Sequence, residues 1–368
     1  LLAGAITVYF VPSWYCGRDG KAWLDGDPSL PRALAEEQVR FEMEDDRRRE
    51  RSTKNRFAGE WALVTHQMTA LGLAQLCLSQ PESSSRYAPV ATRAAVKTLA
   101  PEMRDFGTRA WNEDALASLT GPHGHAYLAY SALAIGMARL VDEHFPAPVA
   151  RQHDALVAAY ERRLLASPTG LIETYPGEAY PTDVAAVAAA IAVHGRVTKS
   201  DHRKVLAHWS TQLRKVQIDP KSGLVIQRIG VRDGKPHDAP RGSGTGLAAY
   251  FAGFADRESL VLLADGLFSH RKSFLRFGAI REYASGYEGG GDVDSGPVLF
   301  GVSVAATGFA LAPARALRRE ADFESLYRTT ELFGFRVDRD ARTRFATGGP
   351  IGNALLLAFL TSGPEVAP

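Results

Sequence analysis

The sequence predicts an all-α protein, an (α/α)6 barrel of six inner and six outer helices with short strands in its mouth loops. Three observations predict it: a six-fold repeat, inner segments that are apolar on every side, and charged amphipathic segments between them. The repeats begin at Gly59, Gly121, Pro181, Arg241, Ser295 and Gly348, and each opens on a polar, Gly- or Pro-rich turn before a run of small apolar residues. Starts that recur every 53–62 residues mark one supersecondary unit used six times. A helix that is hydrophobic all round must be buried all round, so these runs form the inner ring. Stretches 86–103, 148–166, 200–217 and 321–335 carry apolar residues at helical spacing and charges on the opposite face. They read as the outer ring. An open helical solenoid is disfavoured, because the inner runs are too apolar to line an exposed concave surface.

Composition narrows the function classes. With 368 residues, 45% hydrophobic and 23% charged, the chain is ordinary globular material. Its 43 basic and 41 acidic residues nearly cancel, and no basic stripe with interleaved aromatics occurs, so no nucleic-acid partner is expected. The cluster Arg47, Arg48, Arg49 and Arg51 follows Glu42, Glu44, Asp45 and Asp46 and reads as a solvated helix face. Residues 31–368 show no low-complexity linker and are taken as one domain. Residues 1–30 form a separate N-terminal segment that opens on the apolar run LLAGAITVYFVP. That run is too short to span a bilayer. It reads either as the end of a membrane anchor or signal segment, with a lean to an extracytoplasmic, membrane-anchored protein, or as a buried N-terminal stretch. Cys16 and Cys77 are either one disulfide or two free thiols, and neither has metal-type spacing.

The connections entering the inner helices are long, and each contains a short strand-like run, such as Leu224–Arg228 or Ala279–Tyr283. Loops this long inside a compact domain are usually functional. In a closed barrel they gather at one mouth, where six helix N-termini also point, and a polar pocket is expected there. The candidate catalytic residues are therefore Asp183, Asp294, His125 and Glu173. Candidate substrate contacts are Tyr175, Tyr180, Arg228, Asp238, Arg241, Tyr287, Asp292 and His66. The bland readings stand beside these. Asp183 and Asp294 in such positions serve as helix caps about half the time. His66 faces an apolar helix and reads first as a core histidine. His123 and His125, two apart, diverge on a helix, so at most one points inward. The Gly289–Gly291 run lacks the Lys-Ser/Thr ending of a phosphate loop. No G-x-S-x-G, H-E-x-x-H or paired C-x-x-C occurs, so neither a metal nor a cofactor is expected.

Several weak motifs in a fixed order carry a family resemblance: HGHAYLAYSAL, GLIETYPGEAYPTDVAAV, IDPKSGLVIQRIGVRDGKPHDAPRGSGTG, GGDVDSGPVLFG and GGPIGNALLLAF. From about Gly59 to Ser362 the chain resembles the linalool dehydratase-isomerase family. The resemblance implies an (α/α)6 barrel, a mouth histidine matching His125, and a cyclic homo-oligomer. It also implies two cysteines around the third inner helix, but those positions read Glu173 and Thr182 here. The thiol chemistry therefore does not carry over.

The leading expectation is an enzyme doing acid–base chemistry on a C–O bond of a small hydroxylated or terpenoid-like substrate, as a lyase or isomerase. Such work needs two groups with separated pKa values. Asp183 or Asp294, held ionised at a helix N-terminus, would be the base, and Glu173 or His125 the acid. The alternatives are a glycoside hydrolase or polysaccharide lyase, with loop tyrosines stacking on sugar rings, and a non-catalytic binding or scaffold domain.

Overall fold

The computed structural model describes residues 2–45, 56–292 and 294–363. The chain opens with α1 (Leu2–Gly17), α2 (Gly20–Asp25) and α3 (Ser29–Asp45). Then come α4 (Arg56–Ser79), α5 (Ser84–Lys97), α6 (Pro101–Trp111), α7 (Ala129–Val141) and α8 (Ala147–Ala166). They are followed by α9 (Pro181–Thr198), α10 (Arg203–Gln212), α11 (Gly242–Ala255) and α12 (Arg257–Ser269). The last four are α13 (Val304–Phe309), α14 (Leu311–Ala316), α15 (Glu320–Gly334) and α16 (Gly349–Leu360). Three antiparallel hairpins complete it: β1 (Arg271–Phe274) with β2 (Phe277–Ile280), β3 (Val298–Leu299) with β4 (Val302–Ser303), and β5 (Arg336–Arg339) with β6 (Arg342–Phe345).

The inner ring closes on itself. Helix α4 packs against α7, α7 against α9, α9 against α11, α11 against α13 and α14, α14 against α16, and α16 against α4. The outer helices α3, α5, α8, α10, α12 and α15 cover it. This is an (α/α)6 barrel. Sequence character explains the layering: in α9 the whole run Val184–Ile191 is inaccessible to solvent, as only an inner helix can be. Close approach depends on small residues. A Cβ at Gly72 of α4 would lie 2.6 Å from Leu357 Cγ and 3.0 Å from the Ala358 amide of α16, the contact that closes the ring.

The fifth repeat departs from expectation. A continuous helix from Ser295 is replaced by the β3–β4 hairpin and a helix broken at Ala310. Phe300 and Gly301 both have positive φ, 52° and 80°, which makes a tight hairpin turn of the twist that strands favour. Pro313 has no N–H for the Phe309 carbonyl, so the helix breaks one turn before it. The strand-like runs Leu224–Arg228 and Ala279–Tyr283 are also displaced. Residues 224–228 make only isolated bridges, to Ile218 and Pro240, and β2 begins two residues before Ala279 and ends at Ile280.

The N-terminal segment packs on the outer helix α15, where buried Trp23 donates from its indole to the Tyr327 hydroxyl at 3.3 Å. Cys16 and Cys77 are both buried free thiols. Among the described residues no helix is long and apolar enough to cross a membrane. The cluster Arg47–Arg51 lies outside the described residues.

Candidate functional site

Each inner helix begins at the same end of the barrel, so residues far apart in sequence meet there. Helix α9 places Asp183 in its first turn. Its carboxylate accepts from the Tyr130 hydroxyl at 2.8 Å, from the second residue of α7, and from the Thr174 hydroxyl at 2.6 Å, from the loop before α9. Helix α4 brings Glu60, which accepts from the Tyr175 hydroxyl. The loop before the β3–β4 hairpin brings Asp294, contacted by the Gln227 amide at 3.4 Å. Glu60, Asp183 and Asp294 lie close enough for their charges to repel one another.

Burial sets the electrostatics, and that repulsion adds to it. Asp183 is half-buried, enclosed by protein yet open to the mouth. Its carboxyl is pushed up to about 6, chiefly by loss of hydration and then by Glu60 and Asp294, against the pull of the Thr174 and Tyr130 hydroxyls. Asp294 is exposed to the mouth but crowded by protein, and its carboxyl also rises to about 6, through that crowding and the charges of Asp292 and Glu60. The expectation that helix N-termini keep these carboxylates firmly ionised is therefore corrected: crowding and like charge outweigh the dipole. The capping reading is corrected too. No side chain caps α9, and Ser303 rather than Asp294 caps α13.

Beside this trio stands a cationic node. Arg241, the residue before α11, is buried, pairs with Asp292, lies 3.7 Å from Asp238, and sits 5.6 Å from the centre of the Tyr283 ring. Asp292 also accepts the Asp294 and Ser295 amides at 3.0 and 2.9 Å, fixing the turn that presents Asp294. Burial favours the neutral form of Asp292, but Arg241 outweighs it and the carboxyl ends below its usual value. Buried Glu282 accepts from the Ser243 hydroxyl at 2.6 Å, and burial raises its carboxyl.

Other candidates lie elsewhere. His125 is buried in a separate cluster, its Nε2 2.8 Å from Glu113 Oε1, with Trp111 packed on its ring at 4.7 Å. His123 Nδ1 approaches the same Glu113 oxygen at 2.9 Å. The two histidines converge rather than diverge because this stretch is a loop, with His125 at φ 49°. Those two contacts hold the Glu113 carboxyl down at about 2, and burial lowers the His125 imidazole. Glu173 contributes through its backbone: its carbonyl accepts the Ala126 amide at 3.0 Å, and a Cβ on Gly124 would collide with it at 2.3 Å. His66 pairs at 2.7 Å with Glu42, both side chains buried, between outer α3 and inner α4. Tyr180 donates to Glu178 at 2.8 Å, and Tyr287 interacts with Asp219. Arg228 is half-buried with its Nε unpartnered. Two cavities lie away from the trio: about 20 Å³ at the far end beside Gly253 and Ser362, and about 130 Å³ on the mouth side between α3 and the start of α16.

Sequence reading missed Glu60, Tyr130, Thr174 and Gln227. Glu60 had the signal that marked Asp183, a lone carboxylate at the start of an apolar run. Nothing local marks the two hydroxyls, which matter only because α7 and the Thr174 loop converge on Asp183.

No protein-family model matches the chain, and no curated protein matches it. Two structures of inactive variants of alpha-1,6-mannanase GH76A of Salegentibacter sp. HEL1_6 are similar to it at 12% identity. The complex with alpha-1,6-mannotriose has a TM-score of 0.46 and covers 81% of this chain and 89% of its own. The complex with alpha-1,6-mannotetrose has 0.47, with 82% and 88% covered. A polysaccharide lyase is similar at 10% identity and a TM-score of 0.39, over 85% of this chain and 98% of its own. A likeness this distant fixes neither family nor substrate.

Proposed function

We propose that the chain is an enzyme that breaks a C–O bond of a polyhydroxylated, sugar-type substrate by general acid–base catalysis between Asp294 and Asp183. One observation carries this: three carboxylates from three separate repeats, Glu60, Asp183 and Asp294, crowd one mouth closely enough for like charge to raise the carboxyls of Asp183 and Asp294. Like charges so placed hold protons to higher pH, so a proton donor and acceptor coexist near neutrality. Asp183, held through both oxygens by Tyr130 and Thr174, takes the proton from an incoming water. Asp294, on the open side, gives its proton to the leaving oxygen as the bond breaks. Hydroxyl-rich substrates suit a mouth that offers carboxylates, Gln227 and Thr182. The test is release of reducing ends from a panel of oligosaccharides and aryl glycosides. Turnover that falls on the order of 10²-fold or more in Asp183→Asn supports the reading. Turnover equal in wild type and Asp183→Asn overturns it.

A second reading, elimination of water from a small alkenol, is favoured by the aromatic wall beside the trio. Tyr127 stacks on Tyr175 with ring centres 6.1 Å apart, and Tyr130 meets Phe251 edge-on at 5.5 Å. This is the chemistry that the resemblance to linalool dehydratase-isomerase implies. Glu173 and Thr182 do not supply its thiols, and Thr182 donates to the Gly244 carbonyl at 3.0 Å. Alkene formed from tertiary alkenols, with no sugar turned over, selects this reading.

A further inference from the structure

Among the described residues, Glu113, His123 and His125 bring three ligand-type atoms within 4.8 Å of one another. We propose that Glu113 Oε1, His123 Nδ1 and His125 Nε2 form a binding site for a borderline divalent cation, with zinc the best match.

The donor set is two imidazoles and a carboxylate, which suits zinc and its neighbours rather than magnesium or calcium. Zinc–ligand bonds of about 2.0–2.1 Å set donors about 3.3 Å apart around a tetrahedron. Here the carboxylate oxygen lies 2.8 Å from one nitrogen and 2.9 Å from the other, and all three atoms fall within 4.8 Å, so admitting an ion needs the oxygen to back away and the side-chain nitrogens to adjust around it. The site is held in advance. Trp111 packs against both rings, with centres 4.8 and 4.7 Å away. The Arg163 guanidinium donates to the carbonyls of Ser118, Leu119, Gly121 and Gly124, gathering the loop that carries both histidines. The His123 and Glu113 side chains are 44% and 31% exposed, which leaves the fourth position open to water.

The site is distinct from the carboxylate trio. From His125 the path runs through Tyr127, 6.2 Å between ring centres, then through Tyr175 to Glu60. The ion therefore clamps the loop that leads into α7 and Tyr130, and does not touch the bond being broken. Buried His125 Nδ1 has no hydrogen-bond partner, so the support that usually orients a ligating imidazole is missing. Affinity should be about 10–100-fold weaker than at a fully supported site.

The test is calorimetric titration of zinc chloride into chelator-stripped full-length protein, with melting temperature followed in parallel. The expected result is one zinc per chain and a raised melting temperature, both lost in His123→Ala and in Glu113→Gln. These side chains are part-exposed, and circular dichroism checks that the variants fold. His202→Gln, at the opposite end of the barrel, should bind as wild type does. Absence of binding, binding unchanged in His123→Ala, or binding lost in His202→Gln would each overturn the proposal.

Discussion

The two ends of this barrel each hold a cluster of ionisable side chains, and the clusters are built on opposite principles. At the mouth, Glu60, Asp183 and Asp294 face one another with hydroxyl partners and like charge. At the far end, signs alternate. Arg139 pairs with Asp154, which accepts from His194 at 3.2 Å; His194 meets His202 at 3.0 Å, and His202 lies 3.2 Å from Glu161. His153 sits buried 2.8 Å from Arg139, its imidazole lowered to about 3 by burial and by that cation. The far end resolves its charges by pairing, whereas the mouth leaves them in conflict. Conflict costs stability and persists where it has a use, and so the mouth is the place to look for chemistry.

The largest expected difference between the ends is in rate. Asp183→Asn should fold and lose on the order of 10²-fold or more in turnover. Asp154→Asn should leave turnover within a few-fold, and its part-exposed pair with Arg139 should cost only about 1 kcal/mol of stability. Comparable rate losses in the two variants would erase the distinction.

Next comes pH, to which the ends should respond with opposite signs. Asp183 has a folded pKa of about 6 against about 3.9 unfolded, so its contribution is intact below about pH 4 and is lost as pH rises through 6. Urea unfolding should therefore show Asp183→Asn gaining on wild type by roughly 2–3 kcal/mol between pH 4 and pH 8. His153 behaves in reverse. Its folded pKa lies below the unfolded value of about 6.5, so its contribution is present above that value and is lost as pH falls. At pH 5 the loss is roughly 2 kcal/mol, and it should disappear in His153→Gln. Matching pH slopes in the two variants would contradict the comparison.

A smaller effect sharpens the mouth itself. Tyr130→Phe removes one hydroxyl that favours ionised Asp183, a hydrogen bond worth roughly 1.5–3 kcal/mol to a charged acceptor. Its pH–rate profile should move upward, with turnover at high pH little changed. A downward movement would mean that Tyr130 does not favour the ionised form.

Much of the architecture was legible because repetition and apolar character are written locally. The six Gly- and Pro-led starts and the unbroken run around Val184–Ile191 dictate an inner ring without tertiary information. The fifth repeat was misread because its composition is equally apolar as hairpin or helix; the turn at Phe300–Gly301 and the break ahead of Pro313 decided it. At the site, Asp183 and Asp294 were visible as carboxylates leading apolar runs. Their shared partners were not, since Thr174 and Tyr130 carry no signal until the repeats close into a ring. His125 was drawn to the mouth by its position before α7. Glu113 is the partner it finds instead, on the loop after α6.

The central claim, that burial and then like-charge crowding at the mouth raise the Asp183 carboxyl, is tested most directly by carboxyl-carbon NMR titration of aspartate-labelled protein. The expected result is a resonance titrating near pH 6 that vanishes in Asp183→Asn and moves to lower pH in Asp294→Asn, where one repelling charge is gone. An Asp183 resonance that titrates near pH 4, and stays there in Asp294→Asn, would contradict it.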